Sequence, residues 1–172
     1  MLEIRLVTAD DAEDYQRLRL EALETQPLAF ASDVESFSKR SIEEIGAMFT
    51  KEPSEGFTLG AWLDGEFVGT VALSRPQGPK FRHDGYLVAM YVTDKVRGKG
   101  IGRQLVDELI QRARAIEGLE RISLSVSTCQ TSAVHLYHSA GFETWGHEKR
   151  AMKVGDTYTD FEHMAKWIAA EQ

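Results

Sequence analysis

Positions 2–7 alternate apolar and polar residues with period two, as a half-buried strand does. Behind them Thr8 and Asp11 form a capping pair. Tyr15, Leu18 and Ala22 then recur on one face of a helix that runs to about Thr25. Pro27 breaks the periodicity across 26–31. A second capping pair, Ser41 with Glu44, opens a shorter helix through Phe49, which Pro53 prevents from continuing. Positions 57–63 and 66–74 are strand-like and flank Asp64-Gly65, the signal of a tight hairpin. A loop rich in Pro, Gly and positive charge occupies 75–85. Positions 85–92 are almost all apolar or aromatic, which predicts a strand buried on both faces.

The remainder alternates helices and strands. Ile101, Leu105, Leu109 and Ala113 at steps of four predict an amphipathic helix, with Gly118 as the residue just past its end. A strand over 121–126, a helix over 132–140 stopped by Gly141, and two strands over 142–153 and 157–167 around Gly155-Asp156 complete the chain. The aromatic-rich stretch from Tyr158 to Trp167 alternates as an edge or interface strand would; core packing is its default role, and a homodimer contact stays open as the alternative. With no repeat, linker or low-complexity segment, the pattern predicts one α/β domain over 1–172.

Composition narrows the class. The 172 residues suffice for one domain with a sizeable core. No apolar run approaches the roughly 18 residues of a membrane span, and positions 1–11 lack a basic stretch followed by an apolar one. One cysteine, Cys129, excludes an internal disulfide and a cysteine-rich zinc module, and a small buried or half-buried role is expected for it. A cytoplasmic protein is expected. The net charge of −7 is uneven, with −9 on residues 1–66 and +2 on 67–172. No concentrated basic face suggests nucleic acid or a membrane surface. The acidic half favours cationic partners and the second half an anionic ligand, although acidic helices facing water would look the same.

The candidate chemistry lies where the strand at Met90, Tyr91 and Val92 runs through Thr93-Asp94-Lys95-Val96 into Arg97-Gly98-Lys99-Gly100-Ile101-Gly102 and then directly into a helix. Glycines permit positive φ and close approach, so successive N–H groups can converge on an anion, and the helix N-terminus adds partial positive charge. Arg97, Lys99 and Arg103 add full charges, so the segment reads as a pyrophosphate seat. A triphosphate loop would need GxxxxGK followed by Ser or Thr, and the dinucleotide fingerprint would need glycine at 103. Arg103 denies both.

Arg97-x-x-Gly100-x-Gly102 closely resembles the Arg/Gln-x-x-Gly-x-Gly/Ala signature of the GNAT superfamily of acyl-CoA-dependent N-acyltransferases. About 35 residues on, Ala133-x-x-Leu136-Tyr137-x-x-x-Gly141-Phe142 is similar to that family's second motif. The two motifs lie in order, and the resemblance spans about 57–147. It implies a single GNAT-like α/β (α+β) domain. Its central twisted sheet of about seven mixed, mostly antiparallel strands would be flanked by about four helices.

The resemblance further implies acetyl transfer from acetyl-CoA, as cosubstrate and without metal, to a small-molecule or peptide amine by direct attack in a ternary complex. The backbone of Met90, Tyr91 and Val92 would pair with the pantetheine arm, and a strand amide near Tyr91 would polarise the acetyl carbonyl. The turn from Arg97 through Gly98, Lys99, Gly100, Ile101 and Gly102 to Arg103 would hold the pyrophosphate. Tyr137 would protonate the departing thiolate. Gln130 stands where many members carry a cofactor-contacting asparagine. No carboxylate occurs between Gly85 and Val92, where many members carry a glutamate base, which leaves His83 and Asp84 as candidates. A catalytically weak CoA-binding sensor is the alternative. His135 and His138 share a helix face at a metal-compatible spacing but lack further ligands, so no metal is expected.

Overall fold

The computed structural model describes residues 1–169. Strand β1 (Leu2–Leu6) leads into helix α1 (Ala12–Thr25), followed by α2 (Val34–Ser38) and α3 (Ile42–Ala47). A hairpin of β2 (Gly56–Leu63) and β3 (Glu66–Ser74) precedes β4 (Asp84–Val92) and α4 (Ile101–Arg114). Then come β5 (Arg121–Ser127), α5 (Thr131–Ser139), β6 (Glu143–Val154) and β7 (Thr157–Trp167). The seven strands form one sheet in the order β1-β2-β3-β4-β5-β7-β6, antiparallel throughout except for the β4·β5 pair. Among the described residues no helix is long and apolar enough to cross a membrane.

The expected capping chemistry is present. Arg5 grips the Asp11 carboxylate with two guanidinium nitrogens at 2.7 and 2.8 Å, while the Thr8 amide donates to the same carboxylate at 2.8 Å. Ser41 and Glu44 cap α3 reciprocally. Asp64 and Gly65 both have positive φ, the geometry of the favoured two-residue hairpin turn.

Two apolar layers hold the sheet. On one face Leu105, Val106, Leu109 and Ala113 of α4 are fully buried against Leu59, Val71, Leu87 and Ile122. Each such leucine contributes roughly 1.5–3 kcal/mol of burial. On the other face Tyr15, Leu18 and Ala22 of α1 pack with Phe37, Ile45, Trp62 and Phe67.

Several expectations are corrected. Strand β4 is not buried on both faces: Tyr86 and Val88 stand exposed, because α1 to α3 cover the β1–β4 side only in part and the strand borders a cleft. β7 is not an edge strand, since the terminal hairpin folds back to insert it between β5 and β6, leaving β6 outermost. Helix α4 ends at Arg114, and Gly118, at φ +72°, belongs to the turn that follows. Helix α3 stops at Ala47 rather than Phe49. The short α2, capped by Asp33, brings the α-helices among the described residues to five, in keeping with the about four expected.

Candidate active site

The parallel pairing of β4 and β5 covers only Asp84↔Arg121 to Tyr86↔Ser123. Beyond Tyr86 the two strands diverge, although β4 continues to Val92 and β5 to Ser127. The β5-facing edge of β4 is therefore unpaired among the described residues. A β-bulge accompanies the divergence, with Thr70 opposite Tyr91 but Ala72 opposite Val88, and Ala89 at φ +54°. A bulge adds one residue and reverses which face the following side chains take. Leu87 accordingly packs under α4, whereas Tyr91 packs under α1. There the Tyr91 hydroxyl donates to Glu21 at 3.0 Å and lies 3.3 Å from Thr25, and burial pushes its pKa up.

The divergence opens a cavity of about 680 Å³. Its walls are β4 from Leu87 to Val92, the N-terminal turn of α4, Ser125 to Ser127 of β5, the inner face of α5, and Gln26, Ala29 and Phe30 from the segment after α1. Of the residues singled out from the sequence, Met90, Tyr91, Val92, Arg97, Gly98, Gly100, Ile101, Gly102, Arg103, Gln130 and Tyr137 all line it. Lys99 does not; it is exposed.

At the mouth, Gly98 and Gly100 have φ of +80° and +75°, and Gly100 caps α4. The amides of Gly98 through Arg103 have no acceptor among the described residues, since the first amide of this helix to bond is Gln104 to Gly100. Six unbonded donors thus lie in succession at the start of a 14-residue helix, a segment suited to an anion. The basic side chains contribute less than expected. Arg97 pairs with Asp94 at 2.6 Å and donates to the Val92 carbonyl, and Arg103 pairs with Asp107 and donates to the Ser139 carbonyl. Both pairs are half-exposed, so each is weakly held and can exchange partners. Gly102 has a different reason to be glycine: a Cβ there would meet the Met90 methyl carbon at 3.1 Å, inside the cavity.

Deeper in, Tyr137 is buried edge-on to Phe142 and lines the cavity, and its hydroxyl makes no hydrogen bond among the described residues. Burial pushes its pKa well above the usual phenol value. Gln130 caps α5 from outside and donates from Nε2 to Gln26 at 3.1 Å, tying α5 to the end of α1 across the cavity.

The two candidate bases are displaced from the site. Asp84 is buried at the closed end of the β4·β5 pair, held by Arg121 and the Ser123 hydroxyl, and neither it nor His83 lines the cavity. The paired end of the fork needs that carboxylate as a strand clamp. Cys129 is exposed rather than buried, because β5 has ended before it, and its Sγ lies 3.0 Å from the Ser127 hydroxyl. His135 is exposed and His138 bonds the Phe142 carbonyl. No cluster of three metal-ligating side chains occurs among the described residues.

Three features lay outside the sequence reading. Phe30 lines the cavity, and the Arg19 guanidinium stacks on its ring at 4.4 Å. That guanidinium makes no hydrogen bond among the described residues, and burial lowers its pKa. Ser125 also faces the cavity; its signal was the alternation of Ser123, Ser125 and Ser127 with apolar residues along β5.

Known proteins share this fold. An acetyltransferase of the GNAT family from Streptococcus pneumoniae superposes with a TM-score of 0.89 at 29% identity, covering 98% of this chain and all of that one. A phosphinothricin acetyltransferase from Sinorhizobium meliloti, solved with acetyl-CoA, shares the fold at a TM-score of 0.83 and 21% identity, covering 96% of this chain and 88% of that one. The N-alpha-acetyltransferase RimI of Mycobacterium tuberculosis is 35% identical over 104 residues, 59% of this chain and 62% of that protein. The matched segments span about half to three-fifths of the length of such curated relatives. The acetyltransferase (GNAT) family profile matches residues 15–142, and the chain belongs to that family.

Proposed function

We propose that this protein transfers an acetyl group from acetyl-CoA to a primary amine by direct attack in a ternary complex. The observation that carries the reading is the divergence of β4 from β5, which leaves an unpaired strand edge leading straight to six unbonded amides. An extended arm bearing amides and ending in a pyrophosphate has the donors and acceptors to match both parts. Acetyl-CoA supplies the activated thioester. The β4 edge at Met90, Tyr91 and Val92 binds the arm in the manner of an added strand, and the amides of Gly98 through Arg103 bind the pyrophosphate. An amide near Tyr91 polarises the carbonyl, and Tyr137 gives its proton to the departing thiolate. Protonation of that phenol throughout the neutral range, which its burial ensures, supports this role.

The acceptor enters beside Gln26, Ala29 and Phe30. The net −9 of residues 1–66 favours a cationic amine. The buried Arg19 charge behind Phe30 opposes that field locally, so both charge classes belong in the test. Thiol release from acetyl-CoA is to be followed with spermidine, L-methionine and a serine-initiated hexapeptide. Amine-dependent release is expected. CoA binding without release by any amine would instead mark a CoA-binding sensor.

A further inference from the structure

Acetyl transfer needs a group that takes the amine's proton, and neither β4 nor the displaced Asp84 offers one. On the cavity wall, the Ser125 hydroxyl lies 2.8 Å from Nδ1 of His163, its register partner on β7. Nε2 of the same imidazole lies 3.0 Å from the Glu148 carboxylate on β6. A carboxylate can only accept, so Nε2 carries a proton, and in the neutral imidazole Nδ1 then accepts from the serine. Trp145 stacks on the imidazole at 5.3 Å and fixes its plane. The β7 insertion that brings His163 beside β5 thus aligns three side chains from three neighbouring strands, with only the serine facing the cavity. Ser125 continues the line of β5 just past Ser123, the last residue paired to β4, so it stands at the fork itself.

We infer that Ser125, His163 and Glu148 form a proton relay for the acceptor amine, which rests on the acetyl-transfer reading above. As the neutral amine nitrogen bonds to the thioester carbonyl carbon, its excess proton passes to Ser125 Oγ while the serine's own proton passes to His163 Nδ1. The C–S bond breaks with its electron pair on sulfur, and the thiolate takes a proton from Tyr137. The imidazolium, paired to Glu148, returns its proton to solvent, and Tyr137 regains one. Ser125 ends unmodified. Ser125 is the catalytic group of the three; His163 and Glu148 are positioning residues that act through it.

Two measurements test the relay. In the uncomplexed protein, ¹⁵N imidazole spectra assigned with His163→Gln should show His163 protonated on Nε2 with a hydrogen-bonded Nδ1, and Ser125→Ala should remove that bond. In the thiol-release assay with the three amines above, Ser125→Ala and His163→Gln should each lower kcat by roughly a hundredfold. The KM for acetyl-CoA should stay within about twofold, as expected when an interaction made only in the transition state is lost. Added imidazole should restore part of the His163→Ala rate. A purely structural role for His163 would be met by glutamine, so a fully active His163→Gln overturns the relay alone. Protonation of His163 on Nδ1, or an acetyl adduct on Ser125 in acid-quenched protein, also overturns it. Wild-type protein that releases no thiol with any amine overturns the acetyl-transfer reading and the relay with it, while the Nε2 tautomer would still be seen.

Discussion

Tyr137 lines the cavity with a hydroxyl that makes no hydrogen bond among the described residues, in surroundings that raise its pKa. Removing that hydroxyl costs no native contact, so Tyr137→Phe should fold with unchanged stability and bind CoA as before. Its turnover should fall roughly a hundredfold, in the range of a lost general acid; full turnover in steady-state assays would reduce Tyr137 to packing. Asp11 shows the opposite electrostatic case. The Arg5 guanidinium, with help from the Thr8 amide, holds its carboxyl down at about 2. A depressed folded pKa stabilises above the unfolded value of about 3.8 and loses that contribution as pH falls toward 2. Because Arg5 is partly exposed, the contribution is about 1–2 kcal/mol at most. Asp11→Asn should therefore unfold at lower denaturant concentration near neutral pH, and the gap from the parent protein should close between pH 4 and 2. A gap independent of pH would contradict the pairing.

The turn before α4 and the bulge in β4 do the positioning at the scale of elements, and they differed in legibility. The turn was readable because Gly98, Gly100 and Gly102 mark it in one short run, and two of them do take positive φ. The bulge was not, because Ala89 looks like any other apolar strand residue, and no local signal says that an alanine will sit at φ +54°. Missing it hid a consequence: Tyr91 turns beneath α1. The Ser125–His163 contact was hidden for a different reason, since register across β5 and β7 depends on how the terminal hairpin folds back. A residue in this left-handed region costs roughly 1–2 kcal/mol unless it is glycine. Ala89→Gly should therefore raise the denaturation midpoint modestly, and Ala89→Val, β-branched at positive φ, should lower it by at least as much. Equal midpoints for the three proteins would show that the bulge is unstrained. At Gly100 a Cβ meets no protein atom, so Gly100→Val acts through φ and through the space before the amides. A loss of CoA affinity of about tenfold is expected, roughly 1.4 kcal/mol.

For the molecule as a whole, the sheet order divides labour. The acidic first part of the chain and its helices cover β1 to β4 and supply Gln26, Ala29 and Phe30, while the rest supplies the residues of the proposed anion seat and proposed relay. If the acidic half steers the acceptor, kcat/KM for spermidine should fall as salt rises, and L-methionine should show less dependence. A salt-insensitive preference for an acceptor bearing a carboxylate would instead give the unpaired Arg19 charge the deciding role. All of this presumes that the fork between β4 and β5 is a CoA site, and that claim is most directly tested by calorimetric titration of wild-type and Gly102→Val protein. A side chain at 102 enters the fork against Met90 without touching the sheet's pairing. The account predicts that wild-type protein binds CoA at least tenfold more tightly than ATP or NAD, and that folded Gly102→Val loses that affinity. Equal affinities for the three ligands, or unchanged CoA binding by the folded variant, would contradict it.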